Sequence, residues 1–586
     1  MKDFVKYTLA TLCGLFLAGI ALFILGILSI AGMMTMESAA PSIKPQSVLR
    51  LTLNGELQED APNDPLGDLF GSTYPTLSLR EIQTAIQGAK ENPNIDGIYI
   101  EAQTLLGATP AMIRDIRESL ADFKKSGKYI IAYGDNYTQG AYYICSIADS
   151  IILNPQGQVN WCGMASQPIF YKDLLEKIGI KMQVFKVGSY KSAVEPFTAT
   201  RMSDANREQV TSYLNDIWQT MLTDVSRSRS IKKDLLNEYA DSMLTFRPAE
   251  ELVRNGMVDS LCYIDGISRM LRAKTGKDKG ALPLVSVKEL AAATEATPKK
   301  GDKIAVYYAY GDIVDRKTEW SENVIDAETV CRDLRTLRED ESVKAVVLRV
   351  NSGGGSAYAS EQIWHEVKLL REAKPVVVSM GGMAASGGYY ISCNADTIVA
   401  EPTTLTGSIG IFGMMPNAKG LTEKLGVSFD VVKTNPYADF GNLTRPMNDG
   451  EKGLMQMYVN NGYELFLTRC SDGRGISMEE LDKIAQGRVW TGSTAKELGL
   501  VDELGGLDKA LEIAIAKAGV DAYTVMSYPK KEGFLESLMN TNPGNYIKGR
   551  MLNGKMSDMY RQFSIIENFD KIDRIQARVP FELNIQ

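Results

Sequence analysis

Histidine is almost absent from this chain. His365 is the only one in 586 residues, which excludes a zinc centre built on histidine pairs and leaves a Ser-His-Asp triad possible only with His365 as its base. Cysteine is sparse as well. The seven, Cys13, Cys145, Cys162, Cys262, Cys331, Cys393 and Cys470, nowhere form C-x-x-C, so neither a zinc ribbon nor a thioredoxin-type motif is present. Their odd number, with Cys13 inside an apolar run, argues against a disulfide framework. Excess positive charge is missing too. The net charge is −8, and gripping a phosphate backbone requires a basic surface, so no nucleic acid is expected as a partner. No cofactor and no metal are expected.

What is present is a globular composition, 44% hydrophobic and 23% charged, in a chain long enough for several domains. Thr8–Met34 carries no charged residue. It exceeds the ~20 residues of a membrane-spanning helix and the ~7–15 of a signal peptide's apolar region. We read it as an uncleaved anchor in preference to a long cleaved signal peptide. Lys2 and Lys6 precede it, Glu37 follows, and no basic residue appears until Lys44. The positive-inside rule then puts the N-terminus in the cytoplasm and the body on the outer side of the cytoplasmic membrane. Contact with lipid is expected through this single pass only.

The chain repeats itself. Ala141-Tyr142-Tyr143-Ile144 falls on Gly388-Tyr389-Tyr390-Ile391, and the same offset of 247 carries Ala148-Asp149 onto Ala395-Asp396, Pro155 onto Pro402 and Lys186 onto Lys433. A constant offset over such a length marks a tandem duplication. The expected division is an anchor segment at 1–44, a first repeat at 45–295, a second at 300–530 and a tail at 531–586 of unknown role. Within the second repeat, Ala345–Val350 reads as a buried strand, Glu361–Ala373 as a helix with one apolar face, and Pro375–Met380 as the next strand. Strand and helix alternate in this way in both halves, which predicts an α/β fold with parallel layers.

Three segments could hold chemistry. Asn351-Ser352-Gly353-Gly354-Gly355-Ser356 follows a strand and opens a helix. Its glycines let main-chain N–H groups approach developing negative charge, though a plain tight turn would read the same. A phosphate cradle is disfavoured, because no Gly-Lys-Ser/Thr follows and G-x-G-x-x-G fails at Tyr358. Met383-Ala384-Ala385-Ser386-Gly387-Gly388-Tyr389 sets a serine among small residues, as a nucleophile elbow requires and as a helix cap would also allow. The Gly387 N–H stands where an oxyanion donor belongs. Val187–Phe197 places Lys191 among Tyr190, Ala193, Val194 and Phe197. A single lysine is ordinarily a solvated charge, but the repeat offset sets Lys191 opposite Ala438 and Ser386 opposite Gln139. Each half thus holds one reactive group that its twin lacks, the pattern expected of two halves sharing one site. A serine hydroxyl needs a base, and with histidine nearly absent lysine is the candidate. Burial, in part against Tyr190 and Phe197, is expected to lower its pKa, and Glu195 to point away from it. His365, on the helix after the glycine loop, reads as structural or solvated.

These segments resemble the signal peptide peptidase A family in its long, duplicated form, also called protease IV, from the anchor to about residue 530. The resemblance is carried by Tyr190–Phe197, by Ala384–Tyr389, and by Thr406-Gly407-Ser408-Ile409-Gly410 and Gly487-Arg488-Val489-Trp490-Thr491-Gly492. It implies tandem ClpP/crotonase-like domains behind one N-terminal transmembrane helix. It also implies a serine endopeptidase that degrades released signal peptides and similar apolar fragments, and a homo-oligomer, a tetramer, arranged as a bowl on the membrane. By this resemblance Ser386 is the nucleophile and Lys191 the general base. The family's Asn-Ser-Pro-Gly-Gly loop has Gly353 in place of proline here, so either the Gly354 or the Gly355 amide completes an oxyanion hole with Gly387. Alternatives on the same residues are a crotonase-like acyl-CoA hydratase or hydrolase, and a catalytically inactive membrane scaffold.

Overall fold

The computed structural model describes residues 6–8, 11, 14–21, 41–60, 75–276, 282–296, 301–317, 323–530 and 575–579. The duplication reappears as matched elements. Strand Tyr129–Gly134, helix Gln139–Cys145 and strand Ser150–Leu153 of the first half recur as strand Val376–Ala385, helix Gly387–Ser392 and strand Thr397–Ala400. Each half later sends out a 26-residue helix, Asp204–Arg229 and Asp449–Arg474.

Each half is built on a largely parallel sheet. In the first, Ser47–Gln58, Ile95–Leu106, Tyr129–Gly134 and Ser150–Leu153 lie side by side, all parallel. In the second, Asp302–Tyr310, Val343–Ser352, Val376–Ala385 and Thr397–Ala400 repeat that order. Both outer edges are covered alike, by Leu284–Ser286 and by Tyr523–Tyr528. Sheets covered on both faces need continuous apolar strands, and Ala345–Val350 is buried throughout. The strand expected to end at Met380 continues to Ala385. Beyond the reach of Thr397–Ala400, the strand Leu405–Gly407 takes over as partner of Met383–Ala385, so the ladder is extended to the residue before Ser386.

A third, mixed sheet joins the halves, in the order Val324–Asp326, Asp312–Val314, Gly354–Ser356, Ile575–Arg578, Phe412–Asn417, Lys181–Lys186. Its last strand comes from the first repeat and runs antiparallel to Phe412–Asn417 of the second. Ile575–Arg578, in the tail to which the sequence assigned no element, is a strand within it.

Buried charge also bridges the repeats. Arg349, in the core of the second sheet, donates from Nε to Glu59 Oε2 at 3.0 Å and from Nη2 to Asp115 Oδ2 at 2.7 Å. Both carboxylates belong to the first repeat and all three side chains are buried. Arg114 of the first repeat pairs with the buried Glu401 of the second. The anchor expected at residues 8–34 lies largely outside the described residues, among which no helix is long and apolar enough to cross a membrane.

Candidate active site

Ser386 stands where strand Val376–Ala385 turns into helix Gly387–Ser392. Its φ of 55° and ψ of −114° lie where L-residues are rarely found, a strain costing on the order of 1–3 kcal/mol. The surroundings hold it there. Its N–H donates to the Gly407 carbonyl and its carbonyl accepts from the Tyr390 N–H, both at 2.8 Å. The small neighbours are required by close approach: a Cβ on Gly387 would meet Ser360 Oγ at 2.7 Å, and one on Gly388 the Ser352 carbonyl at 2.6 Å.

Lys191 reaches this serine from the other repeat. Its segment is bound to the second repeat by the Tyr190 N–H, which donates to the Gln486 carbonyl at 3.0 Å. Gln209 reinforces the join, donating to the Tyr190 carbonyl while its Oε1 accepts from the Val489 N–H. Lys191 Nζ lies 2.8 Å from Ser386 Oγ. It also lies 3.2 Å from the Ser408 carbonyl and 3.1 Å from Ser408 Oγ. All three side chains are buried.

Among the described residues no carboxylate pairs with the amine, and burial pushes its pKa down to about 7. Tyr190 stacks on Arg488 at 4.6 Å and Phe197 on Tyr171. Glycines of the second repeat close against the lysine: a Cβ on Gly487 would lie 2.7 Å from Lys191 Cβ, and one on Gly410 3.4 Å from Lys191 Cδ. Glu195 is turned toward Ser203 and Asn206, from which it accepts hydrogen bonds.

This geometry suits a neutral amine, which offers two N–H donors and one lone pair. The Ser408 carbonyl can only accept, and Ser408 Oγ can take the second N–H. The lone pair is then directed at the Ser386 hydroxyl, whose proton it can remove.

The oxyanion candidates separate. Gly387 opens its helix, so its N–H has no intrahelical partner. A Cβ on Gly354 would lie 2.7 Å from the Gly387 nitrogen, which sets these two residues side by side. The Gly354 N–H donates to Ser352 Oγ at 3.1 Å. Gly355 is registered between Ile313 and Ala577 in the mixed sheet.

The other sequence candidates are not brought here. His365 is exposed on helix Ala357–Ala373. Gln139, the twin of Ser386, uses Oε1 to accept from the Cys162 and Gly163 N–H groups at 3.0 and 3.1 Å, so it braces a loop. Ser408 was missed as a site residue. Its only sequence signal is a serine between Gly407 and Gly410, where the main chain must approach another segment closely. Among the described residues no cluster of three or more His, Cys, Asp or Glu could hold a metal ion.

Comparison with known proteins matches both halves. The model of peptidase family S49 fits residues 122–277 and again 368–521. The Clp protease model fits residues 312–403, so the second repeat is ClpP-like over that stretch. Protease 4 of Salmonella typhi is 38% identical over 515 residues, covering 85% of this chain and 83% of its own. Protease 4 of Haemophilus influenzae is 36% identical, covering 84% and 82%. The chloroplastic serine protease SPPA of Arabidopsis thaliana is 32% identical, covering 82% and 70%.

Proposed function

Because this chain belongs to peptidase family S49 and is a serine peptidase, we propose that Ser386 and Lys191 are its catalytic dyad and that it degrades released signal peptides and similar apolar fragments. The observation that carries the dyad is the 2.8 Å approach of Lys191 Nζ to Ser386 Oγ across the two repeats. The neutral amine takes the hydroxyl proton as Oγ attacks the substrate carbonyl. The amides of Gly387 and Gly354 receive the oxyanion, the Gly354 N–H turning from Ser352 as substrate enters. The ammonium then returns its proton to the leaving amine, an acyl-serine remains, and water activated by the regenerated amine hydrolyses it. Substrate is peptide alone, with no cofactor, metal or nucleic acid in the reaction.

The remaining assignments are read with it. Residues 45–295 form the repeat that supplies the base and 300–530 the repeat that supplies the nucleophile. Residues 1–44 anchor the chain by a helix at about 8–34, with the N-terminus cytoplasmic and the catalytic body on the outer face of the cytoplasmic membrane. The fold is read as crotonase-like as well as ClpP-like, and several copies, a tetramer, assemble there. Leu425, Val427, Phe429 and Val432 are each exposed, and apolar side chains left in solvent close together in the sequence support a contact with another copy.

A fluorescent serine-directed phosphonate tests the dyad. Peptide mapping should place the label on Ser386, and Ser386→Ala and Lys191→Ala should both abolish it. Undiminished labelling of Lys191→Ala would overturn the assignment.

A further inference from the structure

The stretch Gln486–Trp490 of the second repeat lies along the seam between the halves, and its main chain touches both sides of the amine's cradle. The Gln486 carbonyl accepts from the Tyr190 N–H at 3.0 Å, and the Arg488 carbonyl accepts from the Ser408 N–H at 2.7 Å. The Gly487 N–H donates to the Ile409 carbonyl at 2.8 Å. Ser408 has φ 51°, a conformation uncommon outside glycine. In it both its carbonyl and its hydroxyl face Lys191 Nζ.

The side chain of Arg488 crosses the seam. Its guanidinium lies against two rings, 4.6 Å from the centre of Tyr190 and 4.2 Å from that of Trp490. Nη1 donates to the Tyr190 hydroxyl at 3.1 Å, and Nη2 pairs with Glu208 at 2.9 Å. The Tyr190 hydroxyl in turn donates to Glu208 Oε2 at 3.0 Å. Trp490 is steadied separately, its Nε1 donating to the Ile484 carbonyl at 2.9 Å. A guanidinium can stack on a ring and still donate from its edge, a combination that an ammonium does not offer.

Arg488 therefore holds Ser408, which accepts from the amine, by its main chain, and Tyr190, which precedes the lysine, by its side chain. These two come from different repeats. Their spacing decides whether Lys191 Nζ stands within reach of Ser386 Oγ, and a displacement of about 1 Å at reacting groups can cost a hundredfold in rate. We propose that Arg488 is a positioning residue of the peptidase reaction, clamping the lysine segment of the first repeat to the serine side of the site. The proposal rests on Ser386 and Lys191 as the dyad.

The test is steady-state cleavage of an apolar fluorogenic peptide by the full-length chain across pH. Arg488→Ala should lower kcat about tenfold to a hundredfold while KM changes less than about twofold. Loosening the segment lets water reach the amine, so the inflection of kcat/KM should move up from about 7 toward lysine's ordinary 10.5. Tyr190→Ala changes no charge and should move it the same way, and it carries the test if Arg488→Ala does not fold. Tyr190→Phe keeps the ring face and should recover most of what Tyr190→Ala loses. The double variant Arg488→Ala/Tyr190→Ala should match either single one, since the pair acts as a unit. A merely structural role would lower the amount of active enzyme and leave the inflection where it is. An unmoved inflection in both folded single variants, or strictly additive losses, overturns the proposal. Lys191→Ala is measured alongside. Substantial turnover in that variant removes the dyad and the proposal with it, whereas an inactive Lys191→Ala beside unmoved inflections removes the proposal alone.

Discussion

Lys191 is a buried amine, and its role as the proposed base has consequences in both catalysis and stability. Only the free amine can accept the serine proton, so kcat/KM should rise with pH through about 7 and then level off. Lys191→Arg should be as inactive as Lys191→Ala, since a guanidinium keeps its proton in this range. A Ser386→Ala/Lys191→Ala double variant should match either single one, because the two groups act as a unit. Stability moves in the same direction. The amine's pKa falls from 10.5 to about 7 on folding. The unfolded chain therefore holds the extra proton between these values, and stability rises with pH across that window. Below pH 7 the buried ammonium costs on the order of 5 kcal/mol. Lys191→Met should then be inactive yet more resistant to urea at pH 6, with the gain fading toward pH 10; equal denaturation midpoints at both pH values would contradict this. Ser408→Ala leaves the amine with one fewer hydrogen-bond partner and should lower kcat about tenfold to a hundredfold with little change in KM. His365→Ala should keep most of kcat. The meeting of Lys191 and Ser386 was legible in the sequence because duplication exposed two complementary absences, at Gln139 and Ala438. Ser408 was not, because a second serine beside a glycine carries no mark of where its carbonyl will point.

At the scale of elements, the strand–turn–helix order around Ser386 was readable from apolar runs broken by small residues. The extension of that strand to Ala385 was not, since it depends on Leu405–Gly407, a partner supplied from outside the local pattern. The tail strand was missed for a related reason. Four residues of alternation are too few to distinguish a strand from a loop, and its pairing is wholly non-local. Likewise part of the enclosure of Lys191 could not be read from its sequence neighbours, because Gly410 and Gly487 arrive from the other repeat. Gly487 has φ 77° and no room for a side chain beside the Lys191 backbone. Gly487→Val should therefore displace the lysine segment and lower kcat at least a hundredfold while the far-UV circular dichroism stays near that of the wild type. Near-normal turnover by this variant would show that the lysine does not depend on that contact.

The whole molecule behaves as one unit because its two halves share buried charge as well as a site. Burial drives the Glu59 carboxyl upward in pKa, and only Arg349, with help from Asn351, draws it back. Removing the guanidinium would strand two carboxylates from the first repeat against the second. Arg349→Met should cost about 3–5 kcal/mol and separate the single unfolding transition into two, one per repeat; a single unshifted transition by calorimetry would refute this. A fragment beginning near residue 300 contains Ser386 but no Lys191, and should neither cleave peptides nor take up the phosphonate.

The order of the two groups along the chain has a further consequence. In the proposed dyad the base lies in the half that is synthesised first and the nucleophile in the half that follows. A nascent chain that has completed only its first repeat carries no nucleophile. One that has just completed its second still lacks a competent serine until Tyr190 has docked on Gln486 and brought the amine to it. On that dyad, proteolytic capacity requires both repeats to be complete and docked on each other, so a chain carrying only one of them should cleave nothing.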